Sequence, residues 1–372
     1  MLKENYLNEK YDFKFNEITN RTYFRKKNGS EKFELINQYV ANSLKREINN
    51  YNIRCSVSDL KSLLESDYVP KFNPFKDYFY NLPSWDKNTD YIEKLAETIE
   101  TDKTDDFKWA FKKWIVASVA CALHDNITNQ AILIFTGGQG IGKTTWMSKL
   151  VPESLKEYFY SGIINPENKD NTILLSERFI INLDELASLN KRQIEAFKEM
   201  VTKEVISERR PYGHFVENYI RRASFVGSSN HNQILTDVTG NRRFICFEVQ
   251  SINKDHNVDM DLVYAQVMHI LNEAIFEYHF NLDDIKRIEA NNQQFKQVCE
   301  EEEFIDEFFK LPEGHSQVNY LSATEIANYF KNMGNSYSKY NPVEIGKIMK
   351  AKGYITKKIS GSSKYIVELT KR

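Results

Sequence analysis

The run Gly137-Gly138-Gln139-Gly140-Ile141-Gly142-Lys143-Thr144 constrains the fold more than any other part of this chain. It satisfies G-x-x-x-x-G-K-[ST] at every fixed position. Its setting matters as much as its letters. Ala131-Ile132-Leu133-Ile134-Phe135 ahead of it is short, apolar and β-prone, and Thr145-Trp146-Met147-Ser148-Lys149-Leu150 behind it can open a helix. Strand, glycine loop and helix start together aim backbone N–H groups and the positive end of a helix dipole at an anion. In that frame Gly137 to Thr145 wrap a nucleoside triphosphate. Lys143 reaches the β- and γ-phosphates, and Thr144 holds Mg²⁺.

Hydrolysis needs further parts: a carboxylate for Mg²⁺, a group that orients the attacking water, and a positive charge for the transition state. Phe179-Ile180-Ile181-Asn182-Leu183 is a second apolar run, and Asp184-Glu185 ends it 41 residues after Lys143. Both carboxylates then emerge at the carboxyl edge of a sheet, where open α/β folds bind ligands. Asp184 is the magnesium candidate and Glu185 the water-polarising candidate. A third run, Ala223-Ser224-Phe225-Val226-Gly227, leads into Ser228-Ser229-Asn230. The Asn230 amide either meets the γ-phosphate or the attacking water, or forms a turn. Next, Asp237-Val238-Thr239-Gly240-Asn241 brings Arg242 and Arg243 to the start of a fourth β-prone run, Phe244-Ile245-Cys246-Phe247. Arginines placed so either complete the site of a neighbouring subunit or pair with local acids.

Short apolar strands separated by helical stretches predict a parallel sheet covered on both faces. Between the second and third strands, Lys203 to Arg222 carries five Lys/Arg, one His and three aromatics around the turn signal Pro211-Tyr212-Gly213-His214. A hairpin with charge near its tip suits the grip of a nucleic-acid backbone. A surface hairpin of balanced charge is the other reading. Lys203, Arg209, Arg210 and His214 are its candidate contacts.

Three regions organise the chain: 1–100, 101–295 and 296–372. In the first, alternation over Asp12–Asn16 and Thr22–Lys26 predicts a β-hairpin. Helices are expected near 36–48, 58–66 and 88–99, the second capped by Ser56 or Ser58, with Ser56 and Asp59 fitting a capping box. Pro70, Pro74 and Pro83 mark an extended connector. In the second region, Phe107 to Leu123 fits one long buried helix. In the third, two helices (322–333 and 342–352) and a hairpin over Tyr354–Leu369 describe a winged helix-turn-helix. From Gly346 to Arg372 it holds eight Lys/Arg against one acid, so it touches either nucleic acid or a protein. The acidic run Glu300–Glu303 reads as a solvated face.

A net charge of −2 excludes a polycation, so nucleic-acid binding has to come from these local patches. No apolar run is long enough to cross a bilayer, and Met1-Leu2-Lys3-Glu4-Asn5 has no signal-peptide core. The four cysteines stand far apart with no C-x-x-C pair. That argues against a disulfide framework or zinc site and for a reducing cytoplasm.

Gly137–Thr144, Phe179–Glu185, the Lys203–Arg222 hairpin, Phe225–Asn230 and Asp237–Phe244 fall in this order within about 110 residues. This ordered set resembles the virulence-associated protein E family, whose ATPase core is similar to superfamily 3 helicases of the AAA+ class, found in phages, pathogenicity islands and other mobile elements. The resemblance spans most of 70–290, and Leu82-Pro83-Ser84-Trp85-Asp86 is similar to the family's lead-in. It implies an α/β P-loop AAA+ core with an α/β N-terminal domain and a C-terminal winged helix. It further implies ATP and Mg²⁺ as cofactors, a homo-hexameric ring, and movement along single-stranded or forked DNA, with host replication proteins as further partners. Carried onto this chain, Lys143 and Thr144 serve the phosphates and metal, Asp184 and Glu185 form the second motif, and Asn230 is the polar sensor. Arg243 best matches the finger, Arg242 second, and Arg209, Arg210 and His214 are the pore candidates. Some relatives place a primase ahead of the helicase. Residues 1–100 show no such acid cluster, so a helicase without primase is expected. Two other readings stand beside it: a nucleotide-switched DNA-binding initiator or loader that does not unwind, and an ATPase acting on protein in phage–host conflict.

Overall fold

A computed structural model describes residues 2–29, 32–166, 168–184, 191–210, 213, 215–235, 241–273, 275–297, 299–312, 318–333, 340–359 and 361–370, with the backbone alone at 191 and 192. The chain forms two compact units, Met1–Asn230 with Phe247–Asn281, and His231–Cys246 with Leu282–Arg372. The fold is mixed α/β around a parallel-strand sheet.

The first unit begins with α1 (Leu2–Lys10), β1 (Tyr11–Asn16), β2 (Arg21–Lys26), β3 (Glu34–Leu35), α2 (Gln38–Asn50), α3 (Val57–Leu64) and β4 (Lys71–Phe72). The expected hairpin forms, with Phe13 opposite Phe24 in an antiparallel ladder and Asn20 at positive φ in its turn. The order of this small sheet is β3-β2-β1-β4. Leu7, Phe13, Leu44, Ile48, Leu60 and Leu64 close a core beneath it. Ser56 and Asp59 form the expected reciprocal cap of α3. The proline-marked connector is not extended throughout. Pro74 opens a helix, α4 (Pro74–Tyr80), because Asn73 accepts from the N–H groups of Phe75 and Lys76 and proline suits a first helical turn. The helix expected over 88–99 shortens to α5 (Tyr91–Ala96), capped by Asp90, and its end becomes β5 (Ile99–Thr101).

Helix α6 (Thr104–Leu123) is buried along most of its length, as its aromatic stripe requires. The second sheet follows: β6 (Ile132–Thr136), α7 (Lys143–Lys149), β7 (Phe159–Gly162), α8 (Lys169–Glu177), β8 (Ile180–Leu183), α9 (Lys191–Thr202), the hairpin β9 (Val205–Glu208) and β10 (Glu217–Ile220), β11 (Ser224–Ser229), β12 (Phe244–Ile252) and α10 (Met260–Glu273). Its strand order is β5-β12-β6-β11-β8-β7. The ladders β6/β11, β11/β8 and β8/β7 are all parallel. Every residue of β6, β8 and β11 is buried, which is why each reads as a mainly apolar stretch without polar alternation. Phe107 of α6 meets Phe135 and Phe247 edge-on at 5.7 and 5.3 Å. Trp146, fully buried on α7, packs on Phe111 and Phe135 and donates to Thr98 Oγ1 at 2.7 Å. The elements on either side of the glycine loop are thus locked into one aromatic core.

Arg221, the residue after β10, is completely buried. Its guanidinium donates to the carbonyls of Ala223 at 3.0 Å, Asn129 at 2.7 Å and Val201. It also lies over the Phe225 ring, and burial pulls its pKa down to about 10. It ties the end of α9, the root of the hairpin and the approach to β6 together. Arg221→Met leaves three buried carbonyls without this donor and is expected to cost about 3 kcal/mol. Urea unfolding should register that as a lower midpoint at unchanged slope. A midpoint within error of the parent would remove this role.

The second unit contains Asn241–Arg243 and the start of β12, then α11 (Leu282–Asn292), α12 (Glu300–Phe308), β13 (Phe309–Lys310), β14 (Asn319–Leu321), α13 (Ala323–Met333), α14 (Pro342–Ala351), β15 (Thr356–Ile359) and β16 (Ser362–Leu369). Strand β16 pairs antiparallel with β13, β14 and β15. Ile305, Phe308, Ile326, Phe330, Ile345 and Ile348 fill its core. The acidic run is not simply a solvated face. Glu302 is buried and pairs with Lys296 at 3.0 Å and Lys352 at 3.3 Å, on a first helical turn that favours acids. Part of the basic tail is engaged in the same way. Lys352 also holds Asp306, and Lys364 holds Glu325. Lys350, Lys357 and Lys358 are exposed, and Lys371 and Arg372 lie outside the described residues.

Cys55, Cys121, Cys246 and Cys299 are all free thiols. Among the described residues no helix is long and apolar enough to cross a membrane, and no three His, Cys, Asp or Glu gather into a metal cluster.

Candidate functional site

Four parallel strands bring the candidate residues to one edge. In the register of the sheet Ser229 of β11 stands beside Thr136 of β6, and Gly227 stands beside Leu183 of β8. The chain therefore leaves β6 into Gly137, β11 into Asn230 and β8 into Asp184 at the same carboxyl edge.

The glycine loop is shaped by conformations that other residues rarely adopt. Gly137, Gly140 and Gly142 have φ of +135°, +82° and +97°. A Cβ on Gly137 would also lie 2.5 Å from the Val249 carbonyl oxygen, and one on Gly142 would lie 3.2 Å from the Lys254 side chain. Lys254 was not visible as a site residue in the sequence. It lies across the loop because the chain after β12 returns there, where Lys149 donates to its carbonyl.

Lys143 opens α7 and is only 7% exposed. Its ammonium donates to the carbonyls of Gly137 at 2.9 Å and Gly138 at 2.8 Å, and to Asn230 Oδ1 at 3.2 Å. Burial lowers its pKa. The structure thus brings Lys143 and Asn230 together across 87 residues of sequence. Thr144 and Thr145 are exposed beside them.

Asp184 is oriented by two neighbours. Ser161 Oγ of β7 donates to its Oδ2 at 2.7 Å, and Asn182 Nδ2 of β8 donates to its Oδ1 at 2.7 Å. Asn182, itself fully buried, also donates to Ser161 Oγ at 2.9 Å. Neither supporter stood out in the sequence. A polar residue inside the apolar run Phe179–Leu183 was the signal for Asn182, whereas Ser161 carried none. Glu185 lies outside the described residues.

Arg242 and Arg243 sit on the short turn Asn241–Arg243 of the second unit, Arg242 exposed and Arg243 half-buried. Helix α11 holds that turn in shape: Asn292 Nδ2 donates to the carbonyls of Asn241 at 3.2 Å and Phe244 at 2.7 Å.

The hairpin β9–β10 stands as its own two-stranded sheet, with Glu217 opposite Glu208. Lys203 and Arg209 are exposed, and Phe215 past the turn is 77% exposed. Arg210 is turned inward. It pairs with Glu177, donates to the carbonyls of Thr19 at 2.9 Å and Ile18 at 3.1 Å, and stacks on Tyr219. While those contacts hold, its charge serves the hairpin's base rather than a bound strand. His214, Pro211 and Tyr212 lie outside the described residues, as do Asp237 to Gly240.

A family model described as a virulence-associated protein E-like domain matches residues 80–303. No curated protein matches the chain. Among solved structures, the apo C-terminal region of NrS-1 is similar in fold, with 13% identity and a TM-score of 0.52 over 99% of this chain and 98% of that one. A second apo form of the same region gives 12% identity and a TM-score of 0.48 over 99% of both chains.

Proposed function

This chain belongs to the virulence-associated protein E-like domain family, and from that premise we propose that it is an ATP-driven motor on single-stranded DNA, a superfamily 3-like AAA+ helicase that serves replication of a phage or other mobile element. The observation that carries this reading is the Lys143 ammonium, buried and held among the Gly137, Gly138 and Asn230 oxygens at the carboxyl edge of the parallel sheet. A charge parked on neutral oxygens is poised to exchange them for a phosphate, a stronger, charged acceptor.

The residues fit magnesium and ATP. Three glycines at positive φ shape the loop between β6 and α7, and Asp184 arrives with both carboxylate oxygens already oriented. Gly137 to Thr145 would surround the phosphates, and Thr144 and Asp184 would hold the metal, which when bound neutralises charge on the β- and γ-oxygens. Lys143 then moves its donors from carbonyls to phosphate, and Asn230 is released toward the γ-phosphate or the water. Glu185 polarises that water. Arg243, with Arg242 second, reaches the site of the next subunit, so the working form is a homo-hexamer. Lys203, Arg209 and His214 line the path of the strand, with Arg210 bracing the hairpin. The unit α13–α14–β15–β16 is read as a winged helix whose exposed Lys357 and Lys358 face nucleic acid. The setting is the host cytoplasm, with host replication proteins as partners.

Two measurements test this. The purified protein should hydrolyse ATP faster with single-stranded DNA and should open a forked duplex. Hydrolysis without unwinding selects the second reading, a nucleotide-switched initiator or loader, for which the exposed lysines of β15 speak. Ser161→Ala frees one oxygen of Asp184 and should raise the Mg²⁺ needed for half-maximal hydrolysis roughly tenfold. An unchanged magnesium titration would mean that Asp184 is not the metal carboxylate.

A further inference from the structure

A cavity of about 570 Å³ lies in the N-terminal sheet region, between α2 and the strands β1 and β2. Its volume is in the range of small-ligand sites. Nothing in the proposed motor uses it.

One wall is a single face of α2. Tyr39, Ser43, Arg46 and Asn50 line the cavity at i, i+4, i+7 and i+11, the spacing that stacks side chains along one side of a helix. The facing wall is β2, where Phe24 and Lys26, two residues apart, share a strand face. Tyr39 is 80% exposed, unusual for a ring of its size, and stands at the mouth. Among the described residues, neither Arg46 nor Lys26 takes part in an ion pair. Two acids line the cavity. Glu47 is already occupied, accepting from Tyr6 at 2.8 Å and Tyr11 at 2.6 Å and pairing with Lys10, and Glu34 of β3 is exposed and outnumbered by Arg25, Lys26, Lys32 and Arg46 along the same lining. Beside the Glu34 carboxylate, what remains is an exposed ring, a guanidinium, an ammonium, a hydroxyl and an amide around a concave space. This is the combination that stacks a base and holds its phosphate.

We propose that this cleft binds one nucleotide unit of single-stranded DNA, with the base on Tyr39 and the phosphate on Arg46 and Lys26. It would give the strand a second hold apart from the β9–β10 hairpin. The choice of a DNA strand rests on the proposed function, but the binding itself requires no hydrolysis, so the two fail separately.

The test is fluorescence anisotropy of a short fluorescein-labelled oligothymidylate on the full chain. It starts from the variant Lys203→Glu/Arg209→Glu, in which the exposed hairpin charges are reversed. Binding should persist there, and adding Lys26→Glu/Arg46→Glu should weaken it at least tenfold while reducing the salt slope by about one to two units. In the same background Tyr39→Ala should weaken it at least fivefold, and Tyr39→Trp should restore it, which a merely structural tyrosine would not do. The control for folding is the thermal melt without DNA, whose Tm should match that of the Lys203→Glu/Arg209→Glu protein in every added variant. The proposal is overturned if Lys26→Glu/Arg46→Glu leaves affinity unchanged, or if the hairpin variant alone abolishes all binding. It is equally overturned if thymidine monophosphate displaces the strand at equal nucleotide concentration, since the cleft would then be a mononucleotide site.

Discussion

Lys143→Ala should lower ATP hydrolysis at least about a hundredfold, because it removes the charge proposed to meet the β- and γ-phosphates. The same change should leave the nucleotide-free fold intact or firmer. Lys143 is 7% exposed, and burial holds its pKa below the ordinary 10.5. Between that lowered value and 10.5 the folded chain binds fewer protons than the unfolded chain, so stability rises with pH through this window. At neutral pH, below the window, the charged lysine therefore weighs against folding in full. Lys143→Met should raise Tm without nucleotide and abolish the further rise that magnesium and ATP give the parent. Thermal melts with and without nucleotide, read beside a phosphate-release assay, check both halves. Normal turnover in Lys143→Ala, or an undiminished nucleotide-induced rise in Tm, would remove the triphosphate site from the glycine loop.

Arg243→Ala is the second large effect. An arginine lent to a neighbouring site is worth about a thousandfold or more in turnover, so this variant should bind ATP and assemble but hardly hydrolyse. Mixing supplies the sharper reading. Arg243→Ala keeps its own glycine loop, and Lys143→Ala keeps its own arginine. Each is inactive alone, yet equal mixtures that exchange subunits should recover roughly a quarter of parent turnover, the share of interfaces with both parts intact. Recovery by Arg242→Ala mixtures instead would assign the role to Arg242. If subunits exchange and neither mixture recovers, the shared-site mechanism is wrong.

The sheet was legible where strands are buried on both faces. Runs such as Ile132–Thr136 and Ile180–Leu183 have no polar side, so local composition alone marks them. The half-exposed edge strand Phe159–Gly162 gave no such mark, although its Ser161 orients Asp184. Caps were legible at Ser56 and Asp59 because both halves of the device lie three residues apart. The inward turn of Arg210 was not, since the carbonyls it meets on Ile18 and Thr19 lie nearly two hundred residues away. The burial of Glu302 similarly depends on Lys352, fifty residues downstream.

By itself, the sequence determined the glycine loop, its flanking strand and helix, the apolar strands of the sheet and the family. Each of these is written in contiguous residues, through backbone conformations that only glycine tolerates or through an unbroken apolar face. Only the tertiary structure decided which polar groups meet: Asn230 with Lys143, Ser161 and Asn182 with Asp184, and Arg210 with Glu177 rather than with solvent. A charged or amide side chain carries no local record of its partner. Its energy depends on the burial and hydrogen bonds that distant segments supply once the chain has closed around it.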